Sequence, residues 1–299
     1  MSRLRRSLRI VTRTWTGRLG LVLSSIIVIA ALVSLVWTPY DPTKIVPTDK
    51  WLPVSWDHWF GTDGGGKDLF SQVLVGARTT LAVAVLTVII SAVIGVVLGV
   101  ASGIAPHYVG EAVSHLIDIV ISLPTLILAL VLVAALEGSV WTISLALGIG
   151  SGVVLARIVK GEVARVLTED YVLAASAAGS STLRTVIRHV LPNIAPVIIV
   201  QLSLIAALAV LAEAALSYLG LTPVSTPSWG RMLEQLQETA SVHPWAIVFP
   251  GLAVVAATLG FNLLGDGIRD AVDPRLRGRV ALPTLDLSGA VTAAAEANR

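Results

Sequence analysis

Residues 19–37 read LGLVLSSIIVIAALVSLVW, nineteen consecutive residues without a charged side chain. A helix of about 20 residues, rising about 1.5 Å per residue, crosses a hydrocarbon core of about 30 Å. The run therefore predicts a membrane-spanning helix. It is too long for the apolar part of a secretory signal and no small-residue cleavage site follows it, so we expect an uncleaved anchor.

Five further apolar runs follow, and with the first they predict an all-α polytopic membrane protein with six transmembrane helices. These runs cover residues 80–103, 116–136, 140–159, 194–217 and 245–266. The composition agrees, because 55% of the residues are hydrophobic and only 13% are charged, against about a quarter charged in soluble domains. Most of the chain is expected to contact the lipid bilayer.

The Lys and Arg residues are distributed unevenly about these runs. Of the 21, sixteen fall on the side of the membrane that holds both termini and five on the other side. Cytoplasmic loops carry the excess of positive charge, so this bias predicts cytoplasmic N- and C-termini. The net charge is only +2, and the basic residues are explained by topology, so nucleic-acid binding gains no support.

Three regions are expected along the chain. Residues 1–18 carry six arginines and apolar residues at helical spacing, which favours a cytoplasmic amphipathic arm over a disordered basic tail. Residues 19–279 form the six-span domain, in which residues 38–79, rich in Trp, Pro, Gly and Asp, are expected to be an outer loop with aromatic anchors at the interface. Residues 280–299 lack apolar periodicity and should be a disordered tail.

The cytoplasmic loop at residues 160–193 is too polar for lipid and too regular for an unstructured loop. Thr168 is a candidate N-cap, Glu169 and Asp170 suit the positive end of a helix dipole, and Gly179 can supply the turn that ends a short first helix. One face of this helix would carry almost no side-chain bulk, so another protein could approach it closely. That face comprises Ala174, Ala177, Ala178 and Ser181.

A second helix is expected from Ser181 to Leu191, ending at Pro192. Its apolar face should pack on the helix bundle, while Arg184 and Arg188 lie on the other face. The apolar residues are Leu183, Val186, Ile187, Val190 and Leu191.

This helical pair resembles the EAA loop of the inner-membrane permease subunits of bacterial ABC importers, which has paired alanines, a later glycine and a terminal Leu-Pro. The matching residues are Ala174, Ala175, Gly179, Leu191 and Pro192. The chain departs from the general EAA pattern at two positions, with Leu173 where Glu is usual and His189 where Ile is often found. The peptide-permease version, with Tyr-Val-x-Ala-Ala and Arg-His-x-Leu-Pro-Asn, is met by residues 171–175 and 188–193.

The resemblance extends over most of the chain, to the second, or C-type, permease of dipeptide, oligopeptide and nickel importers. The further matching blocks are residues 58–68, 76–78, 118, 123–124, 217–221, 229–230, 261–270 and 273–276. Within two of these blocks we single out Gly61, Thr62, Asp63, Asp68, Asn262 and Asp266 as motif residues.

The resemblance implies a type I ABC importer permease fold with a cytoplasmic coupling helix that docks on an ATP-hydrolysing subunit. The implied coupling residues are Tyr171, Ala174, Ala175, Ala178, Gly179, Arg188, His189, Leu191 and Pro192. It also implies a heterodimer with a homologous second permease, two cytoplasmic ATPase subunits or domains, and an extracytoplasmic substrate-binding protein. The expected location is a bacterial cytoplasmic membrane, and the expected cargo is di- or oligopeptides, with nickel or glutathione as alternatives.

Enzymatic chemistry within the chain is not indicated. Residues 61–67 approach a phosphate-binding loop, but Asp68 occupies the hydroxyl position and the segment falls on the outer side, so a surface turn accounts for it better. The histidines lack metal-site spacing and cysteine is absent, so we expect no metal, no bound cofactor and no catalytic residue. ATP and Mg²⁺ would be used by the partner subunits.

Two carboxylates fall within the predicted spans, where charge is costly. Asp118 should lie near a cytoplasmic helix end, and Glu213, nearer the outer end, is a candidate pathway-facing residue; for both, an interfacial or helix-paired role is the alternative. An ATP-independent secondary transporter or channel would be expected to show inverted repeats or ion-pair relays, which we do not find. A membrane anchor or scaffold is a second rival.

Overall fold

The computed structural model describes residues 14–136, 138–222 and 227–272. The predictions for most of the amphipathic arm and for the tail at 280–299 lie outside the described residues. The helices are α1 (Trp15–Val36), α2 (Leu69–Ile104), α3 (His107–Ile121), α4 (Thr125–Ala135), α5 (Val140–Leu167), α6 (Asp170–Ala177), α7 (Thr182–Thr185), α8 (Leu191–Tyr218), α9 (Trp229–Gln237) and α10 (Pro244–Val272). A π-helical turn, Val186–Val190, joins α7 to α8.

Five of the described helices are long and apolar enough to cross a membrane, and the bent pair α3 and α4 makes a sixth when counted as one span. Both halves of the pair pack along α5. Asp118 of α3 pairs with Arg157, and Thr125 at the start of α4 lies against Gly150, two turns nearer the outer end. The two short helices therefore follow one another across the membrane, which confirms the predicted all-α, six-span architecture.

The third span is broken, whereas the sequence predicted one helix over residues 116–136. The axes of α3 and α4 differ by 75°, and the break lies at Ser122–Pro124. Proline has no amide hydrogen to continue the ladder, and the residue before it avoids the helical region. The prediction missed this bend because residues on both sides of it are apolar and read as one continuous run.

α2 begins eleven residues earlier than predicted, at Leu69 instead of residue 80. Asp68 is its N-cap, and its carboxylate accepts a hydrogen bond of 2.7 Å from the Ser71 amide. Such a cap satisfies an amide that the helix start leaves free. The outer loop consequently ends at Asp68, not at residue 79 as predicted. α1 is similarly extended, because Thr14 caps it and residues 15–18 belong to the span, not to the arm.

Close approach of α2 to α5 holds the centre of the bundle together. In the C-terminal part of α2, three glycines are spaced four residues apart. A Cβ added to any of these three glycines would lie 2.5–2.7 Å from an aliphatic side chain of α5. Small residues at this spacing let two helices pack closely within a membrane. The facing pairs are Gly95–Leu155, Gly99–Val159 and Gly103–Val163.

Candidate functional site

The segment from Thr168 to Asn193, which the resemblance predicts to be the coupling loop and which we call by that name, begins where α5 ends at Leu167. Thr168 was predicted to cap the next helix, but it is the C-cap of α5, and its hydroxyl donates to the Arg165 carbonyl at 2.8 Å. Glu169 takes the N-cap position of α6 and pairs with the Arg165 guanidinium at 3.3 Å. Because α5 runs on for two turns beyond the predicted span, α6 follows it after a gap of only two residues.

α6 is held to the protein through one buried side chain. Val172 is 1% exposed and belongs to an apolar cluster formed with α5 and α8, whose other fully buried members include Val163, Val166, Val190 and Ile194. Ala174, Ala177 and Ala178 of the predicted small face lie on α6 or at its C-cap and are exposed. Ser181 was predicted on the same face, but it lies beyond the Gly179 turn, as the N-cap of α7, because the turn ends the helical periodicity. The short helix therefore presents its small face outward from the bundle.

Gly179 ends α6 in a left-handed conformation, with φ of +84°, as the sequence predicted. The Gly179 amide donates to the Ser176 carbonyl at 3.0 Å, and the Ser180 amide donates to the Ala175 carbonyl at 3.1 Å. This is the Schellman arrangement, in which a residue with positive φ lets the last carbonyls of a helix be satisfied. A Cβ at Gly179 would meet no atom within 4 Å, so the backbone conformation is the requirement.

The second helix of the loop does not end at Pro192, contrary to the prediction. α7 passes through the π turn directly into α8, with the Leu191 amide donating to the Val186 carbonyl. Pro192 lies in the first turn of α8, directly after the π turn. The extra residue in the π turn changes the register ahead of the proline, so the helix continues.

The apolar face of this second helix is only partly buried. Val186 and Val190 pack inside, but Leu183 is 69% exposed and Ile187 is 58% exposed, which corrects the prediction that all five apolar residues contact the bundle. Val186 and Val190 occupy the side of the helix that contacts the bundle, whereas Leu183 and Ile187 lie on a side that the bundle does not cover. We define the coupling-loop surface as the exposed residues Tyr171, Leu173, Ala174, Ala177, Ala178, Leu183 and Ile187.

Three polar residues of the peptide-permease motif meet at the edge of this surface. The Asn193 amide donates a hydrogen bond to the Tyr171 hydroxyl, and the rings of Tyr171 and His189 are 6.2 Å apart. These contacts join the start of α6 to the base of α8. The structure thus brings together motif residues that lie about 20 positions apart in the sequence.

The motif residues of the outer loop form a second hydrogen-bonded unit. Thr62 is fully buried, and its hydroxyl accepts a hydrogen bond of 2.8 Å from the Leu52 amide. Besides capping α2, Asp68 lies 3.0 Å from Nδ1 of His58. Gly61 has φ of +73° and packs against Trp245 of α10. The loop is therefore attached to two spans.

Asp63 explains why residues 61–67 are a turn and not a phosphate cradle. Its Oδ1 accepts from the amides of Gly65 at 2.8 Å and Lys67 at 3.0 Å, the groups that a phosphate would use. Its Oδ2 accepts from Gln72 at 2.9 Å. Nearer the start of the loop, hydrogen bonds from Thr43 lower the pKa of the exposed Asp41 carboxyl.

The remaining motif residues lie at the opposite end of the molecule. Asn262 and Asp266 fall in the half of α10 that is remote from the outer loop, about 25 Å or more along the helix from Trp245. The structure therefore does not bring them to the outer loop with Gly61 and Asp63. They belong to a different part of the family pattern.

Glu213, the candidate pathway-facing residue, lies inside the described helix bundle. It is fully buried, with its carboxylate accepting from the hydroxyls of Thr80 at 2.9 Å and Ser217 at 2.7 Å. These partners tie α2 to α8 and compensate the burial of the polar group. The helix-paired alternative describes its position.

The structure also reveals a cavity that could not be located from the amino-acid sequence. It has a volume of about 660 Å³ and lies between α4, α5 and α8. We call it the central cavity. Finding it requires the relative rotation of three helices, which hydropathy does not encode.

Comparisons with known proteins agree with these features. A family model for the binding-protein-dependent transport system inner membrane component matches residues 93–278, more than half of the chain and including the whole coupling loop. The oligopeptide transport system permease protein OppC of Bacillus subtilis is 36% identical over 261 residues, covering 86% of this chain and 85% of the relative. The dipeptide transport system permease protein DppC of Alkalihalophilus pseudofirmus is 31% identical over 259 residues, with 86% and 85% covered. A putative peptide permease protein of Brucella suis is 36% identical over 259 residues, with 86% of each chain covered.

Proposed function

Because this chain belongs to the binding-protein-dependent transport system inner membrane components, we propose that it forms one half of the translocation pathway of an ATP-driven peptide importer. As the second, C-type permease, it pairs with a homologous permease that supplies the other half. Two cytoplasmic ATPase subunits or domains hydrolyse ATP, and an extracytoplasmic substrate-binding protein delivers the peptide. The complex lies in a bacterial cytoplasmic membrane, with both termini of this chain inside.

The coupling-loop surface is the observation that carries the proposal. Large apolar side chains such as Leu173, Leu183 and Ile187 are exposed there, beside a helix face made of alanines. Exposed apolar patches on a polar segment are typical of protein interaction sites. The alanines allow a partner to approach the backbone of α6, so this surface suits a groove on an ATPase subunit.

The attachments of α6 support a role in transmitting motion. Val172 packs among residues of α5 and α8, and Tyr171 is hydrogen-bonded to Asn193 at the base of α8. A displacement of α6 by a docked subunit would therefore move the cytoplasmic ends of two spans together. Packed helices respond to such a push by shifting as rigid bodies.

Peptides are proposed as cargo because the relatives are named as oligopeptide and dipeptide permeases. Nickel and glutathione are the alternatives within the same machinery. The energy is assigned to partner subunits because Asp63 already occupies the amides of the one phosphate-loop-like segment. This chain is thus proposed as a non-catalytic subunit.

The docking role is tested by Ala178→Arg. A long, charged side chain on the small face of α6 should block close approach of the ATPase subunit, so co-purification of the ATPase and peptide uptake should both fall about tenfold or more, the equivalent of about 1.4 kcal/mol of binding free energy. The amount of permease in the membrane should not change. Co-purification on the tagged permease and uptake of labelled dipeptide in proteoliposomes are the measurements.

A matched control for this variant is Ala164→Arg. Ala164 is also an exposed alanine on the cytoplasmic side, but it lies on α5 outside the coupling-loop surface, and its replacement should leave both measurements within about twofold. Normal ATPase association together with normal uptake in Ala178→Arg would contradict the docking assignment.

The transport mechanism is tested with the complete wild-type complex in vesicles. Uptake of labelled dipeptide, tetrapeptide, glutathione and Ni²⁺ is compared with and without ATP and the binding protein. Peptide uptake that requires both is expected. Uptake driven by an ion gradient alone would show a secondary transporter, and unchanged cellular uptake after loss of the subunit would show an anchor or scaffold.

A further inference from the structure

The lining of the central cavity combines a large apolar surface with a few neutral polar groups. Its volume of about 660 Å³ falls within the range of about 300–1,000 Å³ that is typical of sites for small organic ligands. Most of the lining is Leu, Ile, Val, Ala and Pro, and the polar lining residues are Thr125, Ser151 and Gln201. Each of these three comes from a different helix.

These three polar side chains have no hydrogen-bond partner among the residues that the structure describes. Other hydroxyls in the same spans are paired with their own helix: Ser144 donates to the Val140 carbonyl at 2.6 Å and Ser203 to the Val200 carbonyl at 2.7 Å. A polar group without a partner is unfavourable in an apolar environment. The donors and acceptors around the cavity are therefore available to a ligand.

The cavity lies near the middle of the membrane. Gln201 is about 15 Å along α8 from its cytoplasmic end, and Ser151 is about 16 Å along α5 from its outer end. Both positions fall close to the centre of a hydrocarbon core of about 30 Å. A ligand held there would be midway across the membrane.

The chemistry of the lining suits an uncharged segment of a ligand and not a metal ion. Among the described residues that line the cavity there is no acidic, basic, histidine or methionine side chain. A metal ion such as Ni²⁺ would lack the imidazole, thiolate or carboxylate ligands that it requires. A peptide bond carries one donor and one acceptor, and the carboxamide of Gln201 can pair with both.

We propose that the central cavity is a binding site for a peptide in transit, in which Gln201 pairs with a backbone amide and Ser151 and Thr125 supply further hydrogen bonds. The apolar lining accommodates uncharged side chains. The inference rests on the proposed function and deepens it: this chain itself selects amide-containing, uncharged segments, in addition to any selection by the binding protein.

The test compares a dipeptide with its ester analogue, in which the N–H of the peptide bond is replaced by oxygen. Both are measured in the complete reconstituted complex at saturating binding protein, using Gln201→Met, which keeps the side-chain length and removes the amide. Wild type should take up the amide about threefold to tenfold faster than the ester, the value of one hydrogen bond. In Gln201→Met this preference should fall to within twofold, mainly through slower amide uptake.

Ser203→Ala is the matched control. Ser203 lies on the same helix, but its hydroxyl is paired with Val200 and faces Gly265 of α10, so the amide preference should be unchanged. Ser151→Ala, a small change that preserves packing, should reduce the preference in the same direction as Gln201→Met.

The outcomes separate the cavity from the transport function. Equal amide and ester uptake by wild type, or a full amide preference in Gln201→Met, would overturn the binding-site proposal while leaving ATP-driven import intact. Parallel loss of both substrates together with loss of the second permease on co-purification would show that Gln201 contacts that permease, and would also overturn it. Failure of the wild-type complex to import any peptide would instead refute the proposed function.

Discussion

Gly179 has φ of +84° at the end of α6, and the space around its missing side chain is open within the chain. Its contribution to the coupling loop is therefore conformational. A left-handed residue with a Cβ costs about 1–2 kcal/mol, and asparagine tolerates this region better than alanine because its side chain can hydrogen-bond locally. The short helix α6 has eight residues, so a strained end affects a large part of it.

Gly179→Ala and Gly179→Asn separate backbone conformation from steric access. If the left-handed turn is what the loop needs, alanine should weaken ATPase co-purification by about tenfold, which corresponds to about 1.4 kcal/mol, and the larger asparagine should weaken it less. The measurement is the concentration of ATPase that gives half-maximal binding to purified permease. Greater loss with asparagine than with alanine would show that free space at position 179 matters more than φ.

At the scale of the elements, polar contacts join α3, the helix before the break in the third span, to α5. Asp118 pairs with Arg157, with the two side chains 49% and 54% exposed, and Lys160 donates to the Gly110 carbonyl at 3.2 Å. After the break, α4 is held to the bundle by small and aliphatic side chains such as Ala129 and Val133. Since α5 leads directly to the coupling loop, α3 is expected to move with α5 while the break absorbs the change in angle.

Charge reversal tests this connection between α3 and α5. Arg157→Asp places two carboxylates together, and Asp118→Arg places two guanidinium groups together, so each single variant should lower uptake about fivefold or more. The exchange of both charges should restore at least half of wild-type uptake, with equal amounts of protein in the membrane. Independent, additive losses in the double variant would show that the pair is not the functional contact.

Hydropathy predicted the elements better than their ends. All six apolar runs correspond to spans, because a run of that length needs no tertiary information to be recognised. The start of α2 was missed because the Asp68 cap lies beyond polar residues such as Gln72 and Arg78. The break before Pro124 and the π turn before Pro192 were missed because a proline ends some helices and continues others, and neighbouring helices decide which.

The candidate site was predicted unevenly for a related reason. The alanine face and the Gly179 turn follow from local periodicity and conformation, so both were found. Exposure of Leu183 and Ile187 depends on how much of the loop the bundle can cover. Burial of Glu213 depends on Thr80, a residue more than 130 positions away, and a single sequence contains no signal for that pairing.

The whole molecule has three zones that differ in their exposed chemistry. Large aliphatic side chains are exposed along the spans, for example Ile26 and Ile29 of α1 and Ile89 and Val93 of α2, as expected of surfaces that contact lipid or a second permease. The outer zone is the hydrogen-bonded loop around Asp63 and Asp68. The opposite zone carries the coupling-loop surface, so the proposed binding-protein and ATPase contacts lie on opposite sides of the membrane.

Single cysteines can test this orientation directly, because the chain contains no cysteine and every label would report one position. Ser241 and Ser181 are both exposed, the first beside α10 at the outer end and the second in the coupling loop. In protoplasts, a membrane-impermeant maleimide should label Ser241→Cys at once and Ser181→Cys only after the membrane is opened. Labelling in the reverse order would invert the topology and place the coupling-loop surface out of reach of cytoplasmic ATPases. If the orientation is as proposed, adding the ATPase subunit to opened membranes should protect Ser181→Cys and leave Ser241→Cys reactive, because only Ser181 lies in the coupling loop, at the N-cap of α7.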